Sequence, residues 1–568
     1  MFLLGEYPSG TGRVMRASLA RHPEQRPTMA HALYYGDNLH VLRDSIASES
    51  VDLIYLDPPF NSQATYNVLF RSPAGTQSQA QIEAFEDTWH WGQEAEDAFD
   101  QVLRSGNTNA ADLLRAMRSF LGENDMMAYL AMMAIRLLEL HRVLKPTGSL
   151  YLHCDPVASH YLKILLDSVF RPTNFRNEII WKRTFAHGNV TRRLGDVTDT
   201  ILYYVRGNNF KWIQPFKSLG SSEIDQKYPN RDADGRRWQS VTLRNPGVRP
   251  NLHFSFTASN GVIYQPHPNG WSCNLARLER YDREKRLHFP SSPAGALRLK
   301  MYEDESPGER LQSLWDDIPP LGAQAQERLG YPTQKPLALL ERIIGMSSDE
   351  GEVVLDPFCG CGTAVHAAQK LGRQWIGIDI THLAISLIER RLKDAFSGIA
   401  FEVHGAPKDY EGARDLALRD KYQFQWWALS LIDAQPYAGK KKSADSGVDG
   451  LIYFRADAKT TERVVVSVKG GENIGVPMVR DLKGVLEREK APIGIFLTLN
   501  PPTRPMEAEA AAAGFYENDF GRYPRLQIIT IEDALKGVRP RLPVVDTGAA
   551  FRRAGREFRE APQASFNL

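Results

Sequence analysis

Residues 56–62 read Leu-Asp-Pro-Pro-Phe-Asn-Ser, directly after the apolar run Val51-Asp52-Leu53-Ile54-Tyr55. A strand ending this way carries a carboxylate, Asp57, and a ring, Phe60, around two prolines, Pro58 and Pro59. Proline holds φ near −65° and has no N–H, so the turn is stiff and presents carbonyl acceptors without competing donors. On its own it is also a plain strand-ending turn with a buried aromatic. About 300 residues later a second motif limits the choice. The apolar run Gly351-Glu352-Val353-Val354-Leu355 enters Asp356-Pro357-Phe358-Cys359-Gly360-Cys361-Gly362, a helical stretch runs from Thr363 to about Leu371, and a strand Gln374 to Ile378 closes on Asp379. Asp379 stands 17 positions beyond Gly362, close to the roughly 20-residue interval at which a carboxylate meets ribose hydroxyls. The glycine turn supplies backbone amides for an anionic group. These residues imply a nucleoside cofactor. The FxGxG turn lacks the third glycine of the dinucleotide fingerprint, which disfavours a nicotinamide or flavin.

Together the two motifs resemble the DNA amino-methyltransferases that use S-adenosylmethionine, with an FxGxG cofactor loop and a D/N/S-P-P-Y/F tetrapeptide, here Asp57-Pro58-Pro59-Phe60. The tetrapeptide comes first, the cofactor loop later and a basic segment lies between, which is the order of the permuted β class. Pro332-Thr333-Gln334-Lys335-Pro336 and Asn177-Glu178-Ile179-Ile180-Trp181-Lys182 are further matches, and the resemblance covers residues 30 to 395. It implies methyl transfer to the exocyclic N6 of an adenine flipped out of duplex DNA, because aspartate in the first position goes mainly with adenine and serine with cytosine N4. Cytosine N4 is the alternative. The amine is a poor nucleophile because its lone pair is delocalised into the ring. The Asp57 carboxylate and Pro58 carbonyl would accept its N–H groups and turn the lone pair toward the methyl sulfonium. Phe60 would stack on the base, a contact worth about 1–3 kcal/mol. By the same resemblance Asp356 and the amides around Phe358, Gly360 and Gly362 lie along the methionine and ribose, and Asp379 accepts from the ribose hydroxyls. Asp37 faces the adenine amino group of the cofactor, and Thr333 and Lys335 hold the methionine carboxylate.

The C-terminal third resembles the Mrr-like restriction-endonuclease fold with its D…(E/Q)xK core. Asp449 and Lys469 match, whereas Ser467 stands where the glutamate or glutamine belongs. A hydroxyl is a poor magnesium ligand, so Mg2+ and cleavage are implied only if Glu462, Glu472 or another acid supplies the missing oxygen. The expectation is methylation with DNA contact from this domain. A fused restriction-modification enzyme that cleaves DNA is the alternative. No GxxxxGK[ST] phosphate loop occurs in the chain, so an ATP-driven restriction subunit is not expected within it.

The elements that must position these residues alternate strand and helix, which predicts an α/β fold with a mostly parallel sheet. In full, the expectation is a circularly permuted Rossmann-like methyltransferase sheet, an inserted recognition domain and a second C-terminal α/β restriction-endonuclease-like domain. Residues 1–206 form the catalytic part, with strand, loop and strand over 32–60, a polar excursion over 61–120 and a buried helix over Met126–Leu140. Residues 207–330 form the recognition segment, 331–395 the cofactor part, 396–415 a linker, 416–545 the nuclease-like domain and 546–568 a basic tail. Across 171–330 there are 24 Lys and Arg against 17 Asp and Glu, although the whole chain of 568 residues carries only +1. A polyanion could dock on that segment, where Lys211-Trp212, Arg236-Arg237-Trp238, His267 and Trp271 interleave charge and rings. Double-stranded DNA is the expected partner, with a homodimer and a separate restriction subunit as further partners. Met1 to Ala20 lacks the apolar core of a signal peptide and Met126–Leu140 is too short to span a bilayer, so a cytoplasmic protein without membrane contact is expected. The four cysteines form no CxxC pair, so no disulfide framework or metal site is expected.

Overall fold

The computed structural model describes residues 31–59, 90–185, 192, 194–292, 295–322, 325–329, 331, 333–437, 447–457, 460–543 and 557, and the backbone of strands Thr65–Arg71 and Gln77–Glu86. Phe60, Pro332, Ser446 and the tail other than Glu557 lie outside the described residues. The chain divides into two compact units, 212–315 and the remainder.

In the larger unit β1 (Ala32–Tyr35), α1 (Asn38–Ser45) and β2 (Val51–Leu56) come first. The region expected as strand, loop and strand therefore contains a helix, because Asp37 caps it, accepting from the backbone N–H of Leu39 and His40. The strands Thr65–Arg71 and Gln77–Glu86 (β3 and β4) pair antiparallel in the segment read as a polar excursion. Helices α2 (Gln93–Leu103), α3 (Thr108–Leu121) and α4 (Asp125–Val143) follow, α4 being the expected buried helix. Next are β5 (Leu144–Cys154), α5 (Pro156–Phe170), β6 (Phe175–Lys182) and β7 (Thr198–Val205). After the smaller unit come α6 (Leu337–Ser347), β8 (Val353–Asp356), α7 (Thr363–Lys370), β9 (Gln374–Asp379), α8 (His382–Ala395) and β10 (Glu402–His404).

Within this unit the strands lie in the order β6-β7-β5-β2-β8-β9-β1-β10. Pairing is parallel except around β7, which runs antiparallel to β5 and β6. All six residues of β2 are buried, as expected of a central parallel strand covered on both faces. Its one acid, Asp52, accepts from the Lys145 ammonium at 2.8 Å and from the Val353 N–H at 2.9 Å, tying together three neighbouring strands. The permuted order is explicit in the register: Leu53 and Ile54 face Val354 and Leu355.

Residues 396–415, expected as a linker, instead add β10 to the sheet edge, parallel to β1. Ring contacts of Trp375 with Phe401 at 5.7 Å and of Tyr34 with His404 at 4.7 Å hold it there. The C-terminal part has α9 (Tyr410–Arg419), α10 (Lys421–Leu431) and strands β11 (Gln435–Pro436), β12 (Gly450–Arg455), β13 (Thr461–Lys469), β14 (Ile493–Thr498) and β15 (Leu526–Thr530), paired in that order. Its cores include Phe454, Val464, Val466 and Ile495 on one face and Val465, Leu482 and Phe496 on the other. Two covered faces identify a second α/β layer structure.

The smaller unit holds a four-stranded antiparallel sheet in the order 287–288, 298–302, 237–242, 230–231, and the helix Leu275–Arg283. Two of the rings that interleave with the basic residues are core. Trp238 is buried under Lys300, and Trp271 is buried with its indole N–H donating to the Phe254 carbonyl. Arg236 pairs with Asp304 and Glu305, and Arg237 with Asp225. Trp212 remains 43% exposed.

Gly405 ends β10 with φ of +79°, and a Cβ there would stand 2.1 Å from the Tyr35 carbonyl oxygen. Gly351 also has a positive φ, but open space around it. Left-handed backbone costs a residue with a Cβ about 1–2 kcal/mol. Gly405→Ala should therefore lower the melting temperature clearly more than Gly351→Ala, and equal melting temperatures would show that β10 is not held as described.

Candidate functional site

The carboxyl ends of β2, β8, β9 and β1 are four neighbours in one parallel sheet, and each ends at an aspartate: Asp57, Asp356, Asp379 and, one residue past Gly36, Asp37. At about 4.8 Å between strands the row spans roughly 14 Å. Ligands of open α/β sheets bind at that edge, and a cavity of about 260 Å³ lies there. All four aspartates, Pro58, Pro59, Thr333, Lys335, Phe358 and Gly360 line it.

Asp57 is mostly buried. One of its oxygens, Oδ2, accepts from the Lys335 ammonium. The other, Oδ1, is buried with no hydrogen-bond partner among the described residues. The segment that delivers Lys335 is held by Gln334, whose carboxamide accepts from the Leu329 N–H and donates to the Glu327 carbonyl.

The glycine loop begins where the Phe358 N–H donates to Asp356 at 3.1 Å. Gly362 has φ of +73°, and a Cβ there would come within 2.7 Å of Ile388, so only glycine lets the loop close onto α8. Asp379 accepts from the Gly360 N–H at 2.9 Å and from the Thr381 N–H and hydroxyl. Burial pushes its carboxyl up to about 6 against these opposing hydrogen bonds. Burial also pushes Asp356 well above the usual carboxylate range, with the nearby Asp57 and Asp379 charges adding to the effect.

Asp37 lines the cavity, but its carboxylate is already engaged. Oδ1 caps α1, and Oδ2 accepts from Arg136 at 2.5 Å. Arg136 also donates to Asn38 at 2.7 Å, and Asn38 donates to the Pro357 carbonyl at 2.8 Å. Arg136, inside the apolar stretch Met126–Leu140, is not among the site residues expected from the sequence. A lone arginine in that stretch was the available signal, because burial forces it to find a carboxylate. Tyr331 was missed as well; its ring covers Gly360 at 3.3 Å from where a Cβ would be. So was a buried chain behind the cavity, in which the Tyr55 hydroxyl meets His153 Nδ1 at 2.9 Å and His153 Nε2 meets Asp199 at 3.1 Å.

In the C-terminal part Asp449 and Ser467 come together, but not as a metal site. Asp449 Oδ1 accepts from the Gln425 carboxamide at 2.9 Å, and Oδ2 from the Ser467 hydroxyl at 3.2 Å and the Val468 N–H at 2.6 Å. Lys469 lines a separate cavity of about 380 Å³ with Arg414, Lys421, Gln425 and Asn500. Of the two acids that could have completed the set, Glu462 pairs across from Phe454, far down β13 from Lys469, and Glu472 binds Arg414 at 3.2 Å. Among the described residues no group of three His, Cys, Asp or Glu side chains is placed to hold a metal. A magnesium ion does not fit this donor set.

No helix among the described residues is long and apolar enough to cross a membrane. The type II methyltransferase M.EcaI of Enterobacter cloacae is 30% identical over 264 residues, 46% of this chain and 57% of the relative. The StyLTI Mod subunit of a type III restriction-modification enzyme from Salmonella typhimurium is 26% identical over 360 residues, 61% of this chain and 51% of the relative. The chain thus spans little more than half the length of these curated relatives. A solved structure, TTHA0409 from Thermus thermophilus in complex with S-adenosyl-L-methionine, shares 18% identity over 66% of this chain and 99% of that one, with a TM-score of 0.33. Residues 419–517 match the restriction endonuclease family. Residues 51–390, more than half of the chain, match the DNA methylase family, and to that family the chain belongs.

Proposed function

We propose that the chain transfers the methyl group of S-adenosylmethionine to the N6 of an adenine turned out of duplex DNA. The observation that carries this reading is the buried, unpartnered Oδ1 of Asp57 beside Pro58 in a cavity that Asp379, Phe358 and Gly360 also line. An unsatisfied buried carboxylate oxygen is costly, and an N–H donor arriving from an exocyclic amine satisfies it. S-adenosylmethionine, when bound, supplies an electrophilic methyl on a sulfonium. The protein's residues hold what lies around it. Asp379, already oriented by Thr381 and Gly360, accepts from the ribose hydroxyls. Asp356, Phe358 and Gly360 line the middle of the row, while the Gly362 N–H donates to the Cys359 carbonyl and closes the turn, and Asp37, fixed by Arg136, lies toward the adenine. Thr333 and Lys335 face the methionine carboxylate, and the Lys335 ammonium has three donors, so it can keep Asp57 as well.

Asp57 and the Pro58 carbonyl accept from the target amine, and Phe60 stacks on its ring. Aspartate in the first position favours adenine over cytosine N4. The unit 212–315 supplies recognition, and exposed arginines such as Arg244 and Arg249 suit phosphate contact. A homodimer is one proposed assembly. One relative is named a Mod subunit, so a separate restriction subunit is a further proposed partner. The C-terminal part contributes DNA contact, since its Asp449 already accepts from Gln425, Ser467 and Val468 and no second acid stands with it.

Three outcomes test this reading. Plasmid from cells expressing wild type should carry N6-methyladenine in one sequence motif when read by modification-aware long-read sequencing, and plasmid from Asp57→Ala cells should not. Marks that persist in the variant would remove Asp57 from catalysis, and marks on cytosine would move the target to N4. S-adenosylmethionine affinity, measured by calorimetry, should weaken as pH falls through about 6, where Asp379 takes up its proton and loses the charge that accepts from ribose. The loss reaches at most about tenfold one unit lower, and Asp379→Asn flattens the profile. Unmethylated target DNA incubated with magnesium and no methyl donor should stay intact. Defined fragments from wild type that are absent with Lys469→Ala would make this a cleaving enzyme.

A further inference from the structure

One acid from residues 546–568, read in the sequence as a basic tail, is seated against the helices behind the cofactor loop. The Glu557 N–H donates at 3.0 Å to the carbonyl of Ala395, the last residue of α8, and so satisfies one of the carbonyls that a helix end leaves open. Its carboxylate meets α7 twice. Oε1 lies 3.1 Å from His366 Nε2, and Oε2 lies 3.4 Å from the Lys370 ammonium. His366 is buried, and its Nδ1 meets Arg391 Nε at 3.2 Å. Arg391, also buried, reaches forward with Nη1 to the Cys361 carbonyl at 3.0 Å and the Thr363 hydroxyl at 3.1 Å. Cys361 and Thr363 flank Gly362, and both line the cavity.

The direction of each hydrogen follows from the arginine. A guanidinium only donates, so His366 Nδ1 accepts from it and carries no hydrogen. The ring hydrogen is therefore on Nε2, and the Glu557 carboxylate accepts it. The imidazole is uncharged in this arrangement, and burial, with the Arg391 and Lys370 charges adding to it, pushes His366 in the same direction, down to about 2. No carboxylate among the described residues hydrogen-bonds to Arg391 directly. Burial works against its charge, and the carboxylates among the groups that oppose this are Glu327 and Glu557. Glu327 accepts from the Leu337 N–H at 3.0 Å, whereas Glu557 is joined to the guanidinium through the ring.

We infer that Glu557 is a positioning residue for S-adenosylmethionine binding: by holding His366 as an acceptor toward Arg391, it fixes the guanidinium that clamps the FxGxG loop on either side of Gly362. This rests on the reading of that loop as the cofactor site and assigns part of its support to a residue nearly 200 positions away in the chain. Without the Glu557 carboxylate, the Nε2 hydrogen loses its acceptor. A ring that then carries its hydrogen on Nδ1 faces the guanidinium with a donor, and two donors cannot bond to each other. Arg391 would lose one of its three anchors, and the Cys361 carbonyl and Thr363 hydroxyl would be held less firmly.

The test compares the full wild-type chain with Glu557→Ala and Glu557→Gln. Calorimetry gives S-adenosylmethionine affinity, and hydrogen exchange on the ligand-free chain reports on residues 358–363, where the Gly360 and Gly362 amides are hydrogen-bonded. Glu557→Ala should weaken S-adenosylmethionine binding about tenfold, the scale of one hydrogen bond to a charged group. It should speed exchange in 358–363 and leave β2 as slow as in wild type, because a local loosening differs from global opening in that way. Glu557→Gln keeps an oxygen for His366 without the charge and should fall between. It also decides the matter if Glu557→Ala fails to fold. Wild-type cofactor affinity in the variants, or exchange that rises equally in β2 and in the loop, overturns the inference. A wild-type chain that binds no S-adenosylmethionine overturns the reading of the loop as the cofactor site, and the inference with it.

Discussion

The pairing of β2 with β8 is the constraint on which the rest of the site depends. Only because Leu53 and Ile54 lie beside Val354 and Leu355 does a tetrapeptide near residue 57 share a cavity with a glycine loop near residue 360. Closing so long a loop costs entropy that grows slowly with length, and it is offset here by a fully buried strand and by Asp52. That carboxylate reaches the Val353 N–H on one side and Lys145 on the other, so it fixes β2 in register with both neighbours. A shift of one residue would turn Asp57 from the cavity to the opposite face. Register and chemistry are therefore set by the same strand.

The Asp57–Lys335 ion pair then gives the two oxygens of one carboxylate different surroundings. Lys335 donates to the group through Oδ2 and sets a positive charge against its negative one. Oδ1 stays an acceptor because no donor among the described residues reaches it. Removing one partner of such a buried pair typically costs about 3–5 kcal/mol, mostly because the other charge is stranded. The cavity holds four aspartates against Lys335 and Arg136, and the acids respond to their surroundings differently. Arg136 holds Asp37, burial pushes Asp356 far up, and Asp379 is moderated by three donors.

Much of this was legible in the sequence because it depends on local chemistry. Proline stiffness, glycine at a tight loop and an acid at a strand end are properties of a few adjacent residues, and Asp57, Gly362 and Asp379 stand out in the sequence for that reason. What escaped depends on neighbours distant in sequence. Arg136 sits 99 residues from the Asp37 it binds, and His153 lies 98 from Tyr55. Residues 396–415 looked like a linker because a three-residue edge strand has too short a period to stand out, and only contacts to Trp375 and Tyr34 make β10 a strand. Trp238 and Trp271 misled for the complementary reason. An aromatic among basic residues suits a nucleic-acid surface and a small core equally well, and only the fold shows that both are buried.

The two halves of the larger unit carry the same residue type in comparable places, an aspartate at or beside the end of a strand, and the fold treats it in opposite ways. Asp57 is left with one oxygen open, and Asp449 has both oxygens taken by Gln425, Ser467 and Val468. A carboxylate binds an incoming donor or cation with the lone pairs it has left, not with its charge alone. Ser467 is decisive here. A glutamate in its place would repel Asp449 and demand a cation between them, whereas the hydroxyl donates to Asp449 and removes that demand. The substitution that looked in the sequence like one missing ligand therefore also changes the role of the ligand that remains. Family resemblance locates the aspartate in both halves, but the hydrogen-bond partners around it decide what it can do.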